Sequence, residues 1–266
     1  MFESLLFGLT ALIYIAMAFL CWPGQTICRN GVLTRLLPLL PLVLHLYLLH
    51  SQIFGAGGIR LGFATALSAM LALTVLFYSI ATWRYALGGL QSLVLVLAGF
   101  GVMVQARMPQ PAMPDVETPI SGLHLIVAFG AYGTFMIAAL HAVLIALAEK
   151  HLHKPVPPPL VAALPPLLTL EKMLFRMIEL GMVVLTLTLL TGFLFSEMLY
   201  GKAVTFTHMT VFGLASWLIF AALLLGRRVK GWRGRTAIVW TLVGFVALLL
   251  SYLGVRFVVE VMLGRA

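Results

Sequence analysis

Residues 121–148 decide the class of this protein. They read Ser121-Gly-Leu-His-Leu-Ile-Val-Ala-Phe-Gly-Ala-Tyr-Gly-Thr-Phe-Met-Ile-Ala-Ala-Leu-His-Ala-Val-Leu-Ile-Ala-Leu-Ala148, without a lysine, arginine, aspartate or glutamate. As a helix, this stretch would be about 42 Å long at 1.5 Å per residue. A bilayer core about 30 Å thick requires roughly 20 apolar residues per crossing. The stretch therefore predicts a transmembrane helix.

The rest of the chain repeats this pattern. Hydrophobic residues make up 62% of the sequence and charged residues 9%, with a mean hydropathy of +1.09, whereas a soluble domain has about 25% charged residues. Because short polar segments separate the apolar stretches, we expect an all-α, polytopic bundle of about eight transmembrane helices that forms a single transmembrane domain over residues 1–266. The expected spans lie near residues 4–22, 36–50, 61–82, 87–105, 121–148, 177–198, 207–226 and 236–258.

The basic residues predict the orientation of these spans. If the spans alternate, 12 of the 17 lysines and arginines lie on one side of the membrane, 4 lie on the other, and Arg256 lies in the last span. Lysine and arginine are retained in cytoplasmic loops, so both termini are expected outside the cytoplasm. The net charge of +9 belongs to loops that would meet anionic lipid headgroups. A nucleic-acid partner is therefore not predicted.

The sequence carries no motif of hydrolytic or nucleophilic catalysis. It contains no Gly-x-Ser-x-Gly, no His-Glu-x-x-His and no phosphate-binding loop. Its eight acidic residues lie outside the middle of the predicted spans, which disfavours a proton-coupled carrier. Cys21 and Cys28 do not form a Cys-x-x-Cys motif, and we interpret them as small apolar residues. We predict no catalytic residue and no enzymatic activity.

Histidines are the ionisable residues that the predicted spans do contain. His124 and His208 begin the fifth and seventh spans at the outer side, and His45 and His50 lie in the outer half of the second. His141 follows His124 by 17 residues, about 25 Å along a helix. We therefore expect His141 near the cytoplasmic side, where it would form a hydrogen bond between spans.

Four histidines from three spans thus share the depth of the outer leaflet. Zinc sites take about four ligands, often including cysteine, whereas haem iron requires only one or two axial histidines and an apolar pocket. We predict haem binding by His124 and His208 as iron ligands, with His50 as the alternative partner. His45 and His50 lie about 140° apart around the helix, so we do not expect both to bind one iron. His50 is preferred because it lies nearer the surface. The other interpretation is that these histidines only form hydrogen bonds at the membrane interface.

Three segments resemble a known family. Residues 121–135 resemble the His-x-x-x-x-x-x-x-Tyr helix of the cytochrome c assembly (CcsA) superfamily, and residues 169–192 resemble its next segment. The tail, from Gly231-Trp-Arg-Gly-Arg235 to Tyr252-Leu-Gly-Val-Arg256, continues the similarity. It is clear over residues 120–258 and weaker before them. The chain is most similar to the small HemX/YpjD-like branch, which consists of eight-span proteins of the bacterial inner membrane.

The resemblance implies a haem-handling accessory of cytochrome c biogenesis in that membrane, with haem b as cofactor and other biogenesis membrane proteins as partners. The assembly factors present haem through histidines beside an outward tryptophan-rich motif. His124 matches the histidine before that motif, and His50 matches an intramembrane histidine. Residues 195–210 contain no tryptophan, however, and Arg256 and Glu260 occupy the region of a later family histidine.

The alternative function belongs to a different class. Without haem, the chain would be a membrane adaptor or regulator that acts on a haem-biosynthesis enzyme or on another membrane protein. Its cytoplasmic loops would then carry the function, since they hold most of the basic residues.

The basic residues generate a test of topology. Alkaline phosphatase fused after Ala266 should be active and a green fluorescent protein fused there should be dark, because both termini are expected outside the cytoplasm. Fusions after Lys230 should show the reverse pattern. An inactive phosphatase and a fluorescent fusion at Ala266 would overturn the predicted orientation.

Overall fold

The structure is a computed structural model that describes residues 2–22, 32–54, 59–83, 90–108, 112–113, 119–151, 157–200 and 207–264. Within these ranges nearly every residue is helical. The α-helices are α1 (Phe2–Leu20), α2 (Val32–Leu36), α3 (Leu39–Ile53), α4 (Phe63–Ala81), α5 (Leu90–Arg107), α6 (Pro119–His151), α7 (Pro159–Ala162), α8 (Leu167–Tyr200), α9 (His208–Lys230) and α10 (Arg235–Leu249). The last helix continues through π-helical residues Leu250–Gly254 and Phe257–Met262. Two strands, β1 (Ile59–Arg60) and β2 (Ala112–Met113), have two residues each.

The prediction of an all-α polytopic membrane protein is confirmed. In the described ranges, seven helices are long and apolar enough to cross a membrane: Glu3–Leu20, Phe63–Ala81, Leu90–Arg107, Gly122–His151, Leu167–Leu194, His208–Lys230 and Arg235–Gly254. The eighth apolar helix, α3, has 15 residues, or about 22 Å. The side of the membrane on which the termini lie stays a prediction.

Helices α6 and α8 extend furthest beyond the predicted spans. Helices α6 and α8 contain 33 and 34 residues, which corresponds to about 50 Å each. The sequence predicts a short amphipathic helix from Leu167 to Arg176 and a separate sixth span from residue 177, whereas the structure has one continuous helix, α8, that begins at Leu167. The added turns include Glu171 and Lys172, and these residue types favour helix outside the apolar core.

The chain separates into two compact units. Unit 1 contains residues 1–112 and 147–169, and unit 2 contains residues 113–146 and 170–266. Helices α1, α3, α4 and α5 therefore belong to unit 1. Unit 2 holds most of α6 and α8, together with α9 and α10. The prediction of one transmembrane domain over the whole chain stays a prediction.

Unit 1 is centred on a buried polar cluster. The His45 ring of α3 lies 3.3 Å (Nδ1) from the Tyr14 hydroxyl of α1 and 2.7 Å (Nε2) from the Ser68 hydroxyl of α4. Helix α5 approaches the same level through two glycines. A Cβ atom at Gly99 would lie 3.3 Å from Tyr14 Cβ, and one at Gly101 would lie 3.5 Å from Ser68 Cα. All four helices of unit 1 therefore meet at this cluster.

Unit 2 is built around two stacked aromatic rings. Phe135 of α6 and Phe220 of α9 have ring centroids 3.9 Å apart and an interplanar angle of 16°, and both side chains are 0% exposed. The distal end of each ring lies against a glycine. A Cβ at Gly181 of α8 would lie 2.8 Å from Phe135 Cζ, and one at Gly244 of α10 would lie 2.9 Å from Phe220 Cζ. This row of four residues joins all four helices of unit 2.

Hydrogen bonds between helices supplement the aromatic row. Ser216 of α9 donates to the carbonyl of Gly244 over 2.9 Å, and the indole N–H of Trp217 donates to Thr186 of α8 over 2.9 Å. Tyr132 of α6 pairs with Ser251 of the last helix over 2.6 Å. Such bonds hold membrane helices together because lipid offers no competing hydrogen-bond partner.

The interpretation of Cys21 as a simple apolar residue is wrong. Cys21, directly after α1, is disulfide-bonded; the other cysteine of the sequence, Cys28, lies outside the described residues. The motif search considered only short Cys-x-x-Cys spacings, which a structural disulfide does not require. Disulfides are rare in the cytosol, so this bond opposes the cytoplasmic placement that the basic residues predict for this end of α1.

The aromatic row predicts the effect of adding one methyl group. Gly181→Ala should destabilise unit 2 by about 1–3 kcal/mol, because the new carbon overlaps the Phe135 ring in a well-packed core. Gly213→Ala is the matched control, since its Cβ would meet only Leu189 Cδ2 at 3.6 Å, an ordinary van der Waals distance. The two variants are compared by thermal unfolding in detergent. Equal stability of both variants would contradict the account.

Candidate functional site

The predicted ligand His124 lies near the start of α6 in unit 2 and is half-buried. Its Nδ1 atom lies 2.9 Å from Thr191 Oγ1 of α8. The next residue of α8 is Gly192, where a Cβ atom would lie only 3.2 Å from His124 Cε1. Thr191 therefore positions the imidazole, and Gly192 leaves the space in which the ring lies against α8.

The hydrogen bonds of Thr191 determine the tautomer of His124. Thr191 Oγ1 also lies 2.9 Å from the Leu187 carbonyl oxygen and 3.1 Å from that of Thr188. A hydroxyl has one proton to donate, and these carbonyls receive it. We therefore infer that Oγ1 accepts a hydrogen bond from Nδ1–H of His124, which leaves the lone pair on Nε2. Metal-binding histidines have this arrangement, in which a second residue holds the other ring nitrogen.

The described neighbours of the His124 ring belong to α8. They are Thr191 and Gly192. Among the described residues, no group of three or more histidine, cysteine, aspartate or glutamate side chains could hold a metal ion. Haem iron requires only one or two histidine ligands, and the imidazole of His124 is a donor of that kind.

His208 lies at the same end of unit 2 as His124. It is the exposed first residue of α9, and Thr207 caps this helix by accepting from the Thr210 backbone N–H over 3.3 Å. Helices α8 and α9 are antiparallel, and Leu189 of α8 lies beside Gly213 of α9. Measured along the helices from this pair, His208 of α9 lies about 7.5 Å away and Thr191 of α8 about 3 Å away, both towards the same end of unit 2.

The two histidines of α3 belong to unit 1 and differ in setting. His50 is exposed, and its ring centroid lies 5.1 Å from that of Phe54. His45 is buried with Nδ1 beside Tyr14 and Nε2 beside Ser68. A metal could reach His45 only by displacing one of these partners. The role of His50 as an alternative ligand stays a prediction.

The sequence match extends beyond the segments that carry the resemblance. Residues 33–263 match the family model described as cytochrome c assembly protein. This chain belongs to the cytochrome c assembly protein family. The resemblance predicted from residues 121–256 is confirmed, and the match also includes most of unit 1, where the similarity by inspection is weaker.

Individual relatives of this family member differ in how much of the chain they share. The chain is 30% identical to the inner membrane protein YpjD of Escherichia coli K12 over 167 residues, 62% of each protein. It is 29% identical to a 28.8 kDa protein of Azospirillum brasilense over 216 residues, 79% of each. With the cytochrome c biogenesis protein CcsA of Chlamydomonas reinhardtii, it shares 27% identity over 168 residues, 63% of this chain and 46% of that protein. The match therefore covers less than two thirds of YpjD and about half of CcsA.

His141 of this assembly-family chain has a different role from the one expected. Its Nδ1 atom lies 2.9 Å from the carbonyl oxygen of Ile137, four residues earlier in the same helix. The prediction of a hydrogen bond between spans is therefore wrong for His141 Nδ1, whose partner lies in the same helix. Helical side chains point back along the preceding turn, which brings the imidazole to the carbonyl of its own helix.

Thr191 and Gly192 are site residues that the sequence pattern did not identify. The available signal was a threonine followed by a glycine inside the apolar helix α8, since small and hydroxyl residues are enriched where membrane helices pack. Because the sequence does not show which helix packs against α8, that signal alone could not associate them with His124.

Proposed function

We propose that this chain is a haem-handling accessory of cytochrome c biogenesis that binds haem b through Nε2 of His124. The observation that carries the proposal is the 2.9 Å contact between Nδ1 of His124 and Thr191 Oγ1, from which we infer that Nδ1 carries the proton and Nε2 the lone pair. Family membership supports haem as the ligand, because the family is described as cytochrome c assembly protein. The name of its E. coli relative supports the inner membrane as its location.

In this proposal, the residues of the chain bind the haem and orient the imidazole of His124. His124 would hold the haem, whose iron would supply a Lewis acid for the Nε2 lone pair. Thr191 fixes the rotation and tautomer of the imidazole, so less freedom is lost on binding. We propose no catalytic residue and no enzymatic step. The partners would be haem, other cytochrome c biogenesis membrane proteins and anionic lipid.

We propose His208 as the second iron ligand because it lies at the same end of unit 2. Helix α9 begins at His208 and ends with Arg227, Arg228 and Lys230. Since basic residues mark the cytoplasmic side, the end of unit 2 that carries His124 and His208 would lie at the outer leaflet.

A haem-free adaptor is the second candidate, and an ordered basic turn favours it. Trp232 lies against Gly226 and has its ring centroid 5.1 Å from that of Trp240. Gly231 has φ = 67°, which suits glycine. These contacts shape a turn that exposes Arg228, Lys230, Arg233 and Arg235. Such a turn could contact an acidic surface of a partner enzyme.

Haem binding separates the two candidates. Purified wild-type protein should show a Soret band when expressed with abundant haem, and His124→Ala should lose most of it. Thr191→Val should weaken haem binding about 10- to 100-fold, since removing a residue that orients a metal ligand typically has this effect. His208→Ala should change the spin state of the iron, because one axial ligand is removed.

His141→Ala is the matched control for this experiment. It removes a histidine from the same helix, about 25 Å away along the axis, and should leave the Soret band unchanged. Loss of the band in this variant, with normal membrane insertion, would indicate a second site. If the wild type itself shows no band with abundant haem, the adaptor function replaces the proposed one.

A further inference from the structure

Unit 1 contains a buried hydroxyl group whose hydrogen-bonding capacity its neighbours leave unused. Thr65, in the first turn of α4, is 0% exposed, and its Oγ1 atom has no hydrogen-bond partner among the residues that the structure describes. Thr74 and Ser79 of the same helix each donate over 2.8 Å to the carbonyl four residues earlier. Because buried polar groups are almost always hydrogen-bonded, Thr65 indicates a place where a small polar ligand binds.

Ser68 supplies a second hydroxyl beside Thr65. It lies one turn later on α4 and is also 0% exposed. Side chains three residues apart in a helix have Cβ atoms about 5–6 Å apart. One molecule that forms two hydrogen bonds of about 2.8 Å spans a similar distance. The two hydroxyls are therefore spaced for a single bridging molecule.

Ser68 is also one end of a chain of hydrogen-bonding side chains. Its Oγ atom lies 2.7 Å from Nε2 of His45, and the Tyr14 hydroxyl lies 3.3 Å from Nδ1 of His45. A charge on this fully buried ring would require an opposite charge, and both partners are hydroxyls, so His45 is neutral. Neutral histidine has one N–H group. The three side chains thus have three protons but only two links, and one hydroxyl proton remains at one end.

The place of this remaining proton depends on the tautomer of His45. If Nδ1 carries the ring proton, it donates to Tyr14, Ser68 donates to Nε2, and the proton of Tyr14 remains. If Nε2 carries the ring proton, it donates to Ser68, Tyr14 donates to Nδ1, and the proton of Ser68 remains. An acceptor beside Ser68 therefore stabilises the second arrangement.

We propose that Thr65 and Ser68 bind one buried water molecule, which accepts the hydroxyl proton of Ser68 and thereby holds His45 as the Nε2–H tautomer. Two hydroxyls meet the minimum of two polar partners that a buried water requires. A larger ligand does not fit, because α5 comes so close that a Cβ atom at Gly101 would lie 3.5 Å from Ser68 Cα. The site is independent of the proposed haem function, since its residues belong to unit 1.

Magic-angle-spinning NMR of the full-length protein in liposomes measures both consequences. With isotope-labelled histidine, the signals of His45 are those that His45→Gln removes, and their shifts show which ring nitrogen carries the proton. With isotope-labelled threonine, a cross-peak between water and the Thr65 methyl group reports the bound water. The wild type should show the Nε2–H tautomer and this cross-peak, and Ser68→Ala should lose the cross-peak.

Thr65→Val replaces the hydroxyl by a methyl group and tests the link to His45. It should lower the ratio of the Nε2–H to the Nδ1–H tautomer about fivefold, as expected for the loss of one hydrogen bond. Thr74→Val is the matched control, because it makes the same change in the same helix at a hydroxyl that bonds to its own helix. Its ratio should equal that of the wild type.

Thr65→Ser keeps the hydroxyl and should keep the wild-type ratio, which separates loss of the hydroxyl from a folding defect. The inference is overturned if the wild type shows the Nδ1–H tautomer, if it shows no water cross-peak, or if Thr65→Val leaves the ratio unchanged. None of these results would affect the haem proposal, which depends on the Soret band and His124.

Discussion

The packing of Phe135 on Phe220 between two glycines sets the spacing of the helices in unit 2. Each glycine removes the side chain that would otherwise separate a helix from an aromatic ring, so α8 and α10 approach the central pair directly. Thr191 lies ten residues after Gly181 on α8, about 15 Å along the helix. The position of Thr191 beside His124 therefore depends on the same close approach. Core packing and ligand geometry are connected through one continuous helix.

In unit 1, polar contacts rather than stacked aromatic rings hold the helices together. Lipid tails are as apolar as leucine, so membrane helices cannot associate through the hydrophobic effect and use close packing and hydrogen bonds instead. The cluster of Tyr14, His45 and Ser68 supplies the hydrogen bonds, and Gly99 and Gly101 supply the close approach. Both ring nitrogens of His45 thus contact structural partners, and Nδ1 of His124 contacts Thr191. Two histidines of similar predicted depth therefore have different chemistry.

The sequence predicts the helices well because lipid imposes a simple requirement. Each crossing must satisfy its own backbone hydrogen bonds and present apolar side chains, so runs such as residues 121–148 identify spans directly. The continuity of α8 from Leu167 into the sixth span was not predicted, because the polar residues before residue 177 indicated a separate interfacial helix. The tautomer of His124 could not be predicted, since it depends on Thr191 from another helix. The disulfide at Cys21 was missed because no short motif marks it.

The family match and the geometry of unit 2 lead to one central claim, that His124 binds haem iron with its ring held by Thr191. A cryo-electron microscopy map of the haem-loaded protein tests this claim most directly. The account predicts continuous density from His124 Nε2 to the iron, with Nδ1 still within hydrogen-bond distance of Thr191 Oγ1. A porphyrin whose iron is bonded to other residues, with His124 away from it, would contradict the account.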